Sequence, residues 1–361
     1  MHGGDETTDF PRVVSCDMHP LRVSIVPHIP YALGYGGLEL QQDRTMEALA
    51  RLGVDVRPLD PWKRTFDADL MHVFGSEYHQ AVVIERASTM SIPLVVTSMF
   101  MMMQPRWRFR LWRSIDRMLP PNTQRLRRRN LHAAHAVITI NDAERRDLIE
   151  IFDVDPQRIH VIPNGVEERF FSAKPDMFVE RYGLSDMVLC VGTVEPRKNQ
   201  LALIEATAEL GVPLVLIGPA FANRIGAAYG ERVAQAVARH NHVTWIPGID
   251  HDDPMLASAF AAAAVHVLPS TAEAQGIVSL EAAAAGARVV VSDLPSLRSL
   301  FGTDVIYADP QSVSAITAAT AMALSMPKPD VAVTRPSWLL TWDDVARRTL
   351  DIYVSVLGRR A

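Results

Sequence analysis

Two short stretches carry the residues best equipped for chemistry. One runs Val191-Gly-Thr-Val-Glu-Pro-Arg197-Lys198-Asn199 and sets two fixed cations just after an apolar strand. The other runs Leu268-Pro-Ser-Thr-Ala-Glu273-Ala-Gln-Gly276-Ile-Val-Ser-Leu-Glu281, with Glu273 in a loop and Glu281 on the helix that follows. Residues Ile277 to Ala285 favour helix. Gly276 just before them lets ligand oxygens approach the unpaired N–H groups of Ile277 and Val278, where the helix dipole favours negative charge. Glu281 lies roughly one and a half turns into that helix, so it reaches a different part of a ligand than Glu273 does. One carboxylate suits sugar hydroxyls and the other ribose hydroxyls, while Arg197 and Lys198 face an anionic leaving group. Any one of these glutamates alone would read as a surface charge; the combination points to a sugar diphosphate.

The elements that must position these residues alternate between apolar strands and helical patterns, as in a doubly wound parallel sheet. Leu21 to Val26 reads as a first strand, followed by a Pro- and Gly-rich loop and a helix over Leu38 to Leu52 that Gly53 ends. Strands continue at Val54 to Leu59, Leu70 to Phe74, Leu94 to Thr97 and Val137 to Ile140, and Val161 to Val166 begins a crossing segment. A second set follows at Met187 to Gly192, Pro213 to Ile217, Val243 to Ile246, Val265 to Leu268 and Arg288 to Ser292. Gly36 and Gly37 fall at a helix start near the carboxyl edge of the first strand, where open α/β sheets bind ligands.

On these residues the chain resembles glycosyltransferase family 4, retaining enzymes of GT-B fold. Glu273 and Glu281 meet the family's two glutamates separated by seven residues, and Arg197-Lys198 meets its Arg-Lys pair. Gly36-Gly37-Leu38-Glu39, Val161-Ile-Pro-Asn-Gly165-Val and the stretch from Trp342 to Tyr353 agree in order and spacing. The resemblance implies two Rossmann-like doubly wound domains facing a cleft. It divides the chain into a mobile leader (1–20), an acceptor domain (21–166), a nucleotide-sugar domain (167–336) and a C-terminal helix returning to the first domain (337–361). It assigns catalysis to Arg197, Lys198 and Glu273, and donor binding to Gly36, Gly37, Gly276, Ile277, Val278 and Glu281. The implied reaction moves a hexose-type sugar from a UDP- or GDP-linked donor, with retention, to a glycan, lipid-linked or small-molecule acceptor. The donor is a substrate, so no cofactor is implied. With no residue announcing itself as a covalent nucleophile, front-face attack follows, the departing phosphate taking the acceptor's proton.

One position departs from the family. Many members carry a histidine where this chain has Met99; its main-chain carbonyl can still serve, whereas a side-chain role would pass to His28, His72 or Ser98. Asp67-Ala-Asp69 matches a metal-binding pattern of another glycosyltransferase fold but leads into a strand and reads as structural. His251-Asp252-Asp253 likewise reads as a loop and helix cap. With cations and helix N–H groups available for the diphosphate, no metal is expected. Arg106, Arg110, Arg113 and Arg117 run down one helical face, with Trp107, Leu111, Ile115 and Met118 on an adjacent one. Such a surface suits an anionic membrane or a lipid-phosphate acceptor, or it is a packed helix with a solvated basic face.

Composition bounds the reading. The 361 residues suit two domains, and 48% hydrophobic with 21% charged residues describe a globular protein. A net charge of −5 argues against a nucleic-acid partner. Two cysteines, Cys16 and Cys190, form neither a metal cluster nor a disulfide framework. With no charged-then-apolar leader read and no run of roughly 18 apolar residues, the expected location is cytoplasmic or peripheral at the inner membrane face. A nucleotide-sugar epimerase or nicotinamide dehydrogenase on the same architecture fits less well, because the paired glutamates argue against both and no Gly-x-Gly-x-x-Gly follows the first strand. A catalytically silent relative that binds a sugar nucleotide or a partner protein is the remaining alternative, supported by Met99 alone.

Overall fold

The computed structural model describes residues 19–34, 36–102, 104–115, 118, 120, 122–329 and 334–358. The leader expected over residues 1 to 20 falls almost wholly outside them, as do Cys16 and Arg117.

Short runs of Val, Ile and Leu buried on both faces make parallel strands, because helices must then cover both sides of the sheet. The first sheet has the order Asp55–Pro58, Arg22–Val26, Leu70–Phe74, Leu94–Thr97, Ala136–Thr139, Ile159–Val161, all parallel. The second has the order Val243–Ile246, Leu214–Ile217, Val188–Val191, Val265–Leu268, Arg288–Ser292, Ile306–Ala308, again all parallel. The edge strands Ile159–Val161 and Ile306–Ala308 were not expected. At three residues each they carry no readable alternation, and their neighbours create them. The anticipated crossing segment also divides: Val161 ends the first sheet, and Gly165–Val166 forms a separate parallel pair with Leu340–Thr341.

Order reversal decides where ligands bind in such sheets, since the loops at a switch point splay apart and leave a crevice at the carboxyl edge. In the second sheet the switch lies between Val188–Val191 and Val265–Leu268. The loops after those two strands hold Arg197-Lys198 and Glu273. In the first sheet it lies between Arg22–Val26 and Leu70–Phe74, whose following loops lead to Gly36 and Gly75.

The chain's last helix, Trp342–Val356, packs on Gly37–Arg51 of the first half. Its Tyr353 is fully buried, with the hydroxyl 2.6 Å from His72 Nδ1. His72 Nε2 lies 2.8 Å from Thr97 Oγ1, and burial pushes the ring pKa down to about 3. His72 is therefore a neutral core residue, and its candidacy as a substitute for the family histidine falls. Arg22 pairs with both Asp67 and Asp69, and its backbone N–H donates to Asp69 at 3.0 Å.

Gly165 sits where the two crossing segments touch. A Cβ there would lie 2.5 Å from the Trp342 backbone nitrogen and 2.6 Å from the Thr341 carbonyl carbon, so the strand pair closes only over glycine. Gly165→Ala should destabilise the protein by roughly 1–3 kcal/mol, the usual cost of overpacking. The shift in urea midpoint against wild type checks this, and an unchanged midpoint would mean the crossing yields freely.

Candidate active site

The second half supplies a buried charge cluster. Lys198 and Glu273 side chains are only 11% and 10% exposed, with Lys198 Nζ 2.6 Å from Glu273 Oε2. Arg197 Nη1 lies 3.4 Å from the same oxygen and donates to the Ala272 carbonyl at 3.0 Å, while its Nη2 reaches Glu195 at 2.7 Å. Burial alone would push the Glu273 carboxyl up, but Lys198 and then Arg197 outweigh it and hold the group below its usual range. Lys198 is reached over Gly192, whose φ of +144° and lack of a Cβ leave room 3.6 Å from the lysine stem. The two cations expected to await a diphosphate are thus already engaged with a carboxylate. An incoming anion would share them, since an ammonium offers three donors and a guanidinium five.

Gly276 takes φ +69° just before the helix Ile277–Ala284, and the Ser279 N–H donates to the Gly276 carbonyl at 2.8 Å. The Ile277 and Val278 N–H groups point out of that first turn. Glu281 differs from expectation. It is 2% exposed rather than open to the cleft, and its Oε1 lies 2.7 Å from His251 Nε2. Its Oε2 is buried without a partner, as are Ser279 Oγ and Gln275 Nε2 along the same segment. Buried polar atoms without partners are rare, and a group of them beside free N–H donors marks a place for a ligand.

The first half faces this segment. A Cβ on Gly37 would sit 4.0 Å from Ile277 Cδ1, so the glycine turn and the helix N-terminus approach each other. The Gly36 N–H, however, donates to Glu39 at 3.0 Å, closing the helix start from within. Further contacts clasp the halves together: Asn141 Nδ2 donates to the Ala274 carbonyl at 3.0 Å, Asn164 N to Gln275 Oε1 at 3.0 Å, and Ala143 N to Ser299 Oγ at 3.0 Å.

Met99 adopts φ +52°, a left-handed conformation uncommon for a side chain of its size. Glu144 fixes the following turn, accepting from Phe100 N at 2.8 Å and Ile140 N at 2.9 Å. Neither Glu144 nor Asn141 was singled out beforehand. Asn141-x-x-Glu144 at the start of Asp142–Phe152 has the form of a helix cap, and that was the available signal. Of the substitutes for the family histidine, Ser98 Oγ and His28 Nδ1 are both buried without a hydrogen-bond partner, the latter beside Gly75.

The basic helix Arg106–Ile115 is oriented differently from the expected open cationic face. Arg106 pairs with Asp147 and Glu150, and Arg113 donates to the Glu150 carbonyl and to Asp153, so these arginines bind the adjacent helix Asp142–Phe152. The Arg110 side chain and Arg117 lie outside the described residues. Alongside these half-exposed arginines, apolar residues also turn outward: Trp107 is 62% exposed, Leu111 54%, Ile115 37% and Met118 86%. Among the described residues no helix is long and apolar enough to cross a membrane. Asp253 caps Pro254–Ala262 as expected, but nearby His251 contacts Glu281. Glu167, His251 and Asp252 bring ligand atoms within 4.8 Å of one another, with Arg44 and Arg169 already on those carboxylates.

Two matches fall on these two halves. Residues 179–335 match Glycosyl transferases group 1 and residues 47–170 match Glycosyltransferase Family 4. The chain belongs to the family 4 glycosyltransferases. It is 27% identical over 237 residues to O-antigen chain mannosyltransferase B of Escherichia coli, covering 62% of this chain and 61% of that relative's length. Sucrose-phosphate synthase from Thermosynechococcus elongatus has the same fold, with a TM-score of 0.72 at 18% identity over 95% of this chain and 100% of that one. Anabaena HepE, solved in complex with UDP and glucose, gives 0.70 at 15% identity over 93% and 100%. The architecture is therefore GT-B.

Burial pushes the Glu144 carboxyl up to about 7, against the N–H groups of Ile140 and Phe100. The folded protein then holds a proton that the unfolded chain, with a value near 4.5, releases. Stability should fall as pH rises from about 4.5 to 7, by on the order of 3 kcal/mol, and then level off. Urea unfolding of wild type and Glu144→Gln at pH 5 and pH 8 checks this. The variant should lose less stability between the two, and parallel losses would remove Glu144 as the cause.

Proposed function

We propose that the protein transfers a hexose-type sugar from a UDP- or GDP-linked donor to a glycan or lipid-linked acceptor, retaining anomeric configuration. The observation that carries this reading is the unpartnered Glu281 Oε2, buried beside the free Ile277 and Val278 N–H groups and opposite Gly37. A ribose hydroxyl suits the carboxylate oxygen, and a diphosphate suits the helix N-terminus. The complex of HepE with UDP and glucose supports the same class of donor.

In this reading residues 167–336 hold the donor, residues 21–166 receive the acceptor and 337–361 tie back to the first half. Lys198 and Arg197 stabilise the charge that develops on the departing diphosphate, a preorganised electrostatic effect. Because Glu273 fixes both cations before substrate arrives, little reorganisation is left for the reaction itself. The diphosphate takes the acceptor's proton on the side from which it leaves, and the Met99 carbonyl can face the developing oxocarbenium ion. Metal is not required, since fixed cations and N–H groups meet the phosphate charge. A silent relative that binds a sugar nucleotide without turnover is the second reading, favoured by methionine at position 99.

Purified protein, kept in excess chelator, should hydrolyse its true donor slowly and transfer it faster once acceptor is added. Lys198→Ala and Glu281→Gln should each lower turnover by about 100-fold or more while far-ultraviolet circular dichroism stays unchanged. Full activity in either variant would remove that residue from the site, thermal shift without turnover would favour the silent relative, and dependence on added manganese or magnesium would refute the metal-free reading.

The acceptor side is read as a peripheral membrane contact made by Trp107, Leu111 and Ile115. Apolar residues at every fourth position of an exposed helix can lie in the headgroup boundary of a lipid surface. Since Arg106 and Arg113 are already paired, vesicle binding should survive added salt better than an arginine-driven contact would. Cosedimentation with anionic vesicles at low and high salt checks this, and Trp107→Ser with Leu111→Ser should abolish the binding. Binding that salt removes and the double variant keeps would return the role to the arginines.

A further inference from the structure

His251 was set aside by sequence as part of a loop, yet its ring is the direct partner of Glu281. Its Nε2 is 2.7 Å from Glu281 Oε1, leaving Oε2 as the carboxylate's unpartnered atom. The histidine is itself held from several elements. Arg169 binds its backbone carbonyl and lies 3.4 Å from Nδ1, the Phe170 ring packs at 6.1 Å, and Asp252 Oδ1 is 3.7 Å from Nδ1. Arg44, from the first half's helix Gly37–Arg51, bonds both Glu167 and Asp252 and so reaches across to this loop. Burial alone would lower the His251 pKa, but the bond to Glu281, its charge and that of Glu167 raise it despite Arg169. The ring therefore stays a firm donor toward the carboxylate.

We propose that His251 is a positioning residue of the donor site: it fixes one oxygen of Glu281 so that the other is presented, in one orientation, to a ribose hydroxyl. A carboxylate free to rotate offers either oxygen and loses rotamer freedom on binding; one tied at Oε1 has lost it already. The tie also explains how Glu281 can be 2% exposed and still serve a ligand, because the histidine compensates the buried charge that the ligand only partly covers. Through Arg44 and Asp252 the same loop is braced by the first half, so the ribose contact is best formed when the halves are together.

This inference rests on the sugar-nucleotide reading, and the test separates the two. UDP, GDP and ADP, with their dideoxyribose counterparts, are titrated calorimetrically into wild type, His251→Ala and His251→Gln. For whichever ribonucleotide wild type binds, His251→Ala should weaken it by roughly tenfold or more, the scale of a lost hydrogen bond to a charged group. Binding of the dideoxy counterpart should change less than about twofold, and His251→Gln, which keeps an N–H donor, should recover most of the loss. Should the alanine variant unfold, His251→Phe replaces it, keeping a ring against Phe170. Equal losses for ribose and dideoxyribose ligands, or no loss at all, would overturn the role given to His251 alone. If wild type binds none of the three nucleotides, the donor reading fails and takes this one with it.

Discussion

A carboxylate buried at the carboxyl edge of a sheet cannot stay ionised without cations beside it, and the second half of this protein is arranged around that requirement. Glu273 is held by Lys198 and Arg197, which come from a different loop. The two loops belong to adjacent parallel strands at the switch point, so the order reversal of the sheet is what brings them face to face. Gly192 takes a positive φ of +144° beside the lysine stem, and the Arg197 backbone carbonyl accepts from Thr271 N at 2.8 Å, tying the loops together. The charge cluster is preset by the fold before any substrate enters.

The same economy of fixed groups extends across the cleft. Asn141 caps its own helix through Glu144 N and spends its amide on the Ala274 carbonyl, next to Glu273. Gln275 gives its oxygen to Asn164 N while its nitrogen has no partner. Each contact links a residue of the first half or the crossing segment to the glutamate loop, so motion between halves and the shape of that loop are coupled. Conformational closure that completes a binding site is a common device in enzymes that must exclude water.

In the first half, burial rather than charge count governs what is exposed. Arg106 and Arg113 look like free surface cations in a helical projection, but the helix Asp142–Phe152 and its C-cap offer Asp147, Glu150 and Asp153 as partners, and apolar residues stand exposed beside the paired arginines. Which of the basic helix's charges are paired depended on a neighbour more than thirty residues away.

Sequence alone determined the strand alternation and the two-sheet architecture and pointed to Arg197, Lys198, Glu273 and Gly276, because apolar runs, glycine turns and the seven-residue gap between glutamates are local signals. It also marked Gly165 and the return of the C-terminal helix. Only the tertiary structure decided how these groups are used. The burial of Glu281, its pairing with His251, the engagement of both cations by Glu273 and the three-residue edge strands all depend on residues distant in the chain. Hydrogen bonds and desolvation act over a few ångströms in space, whereas a motif records only distance along the chain.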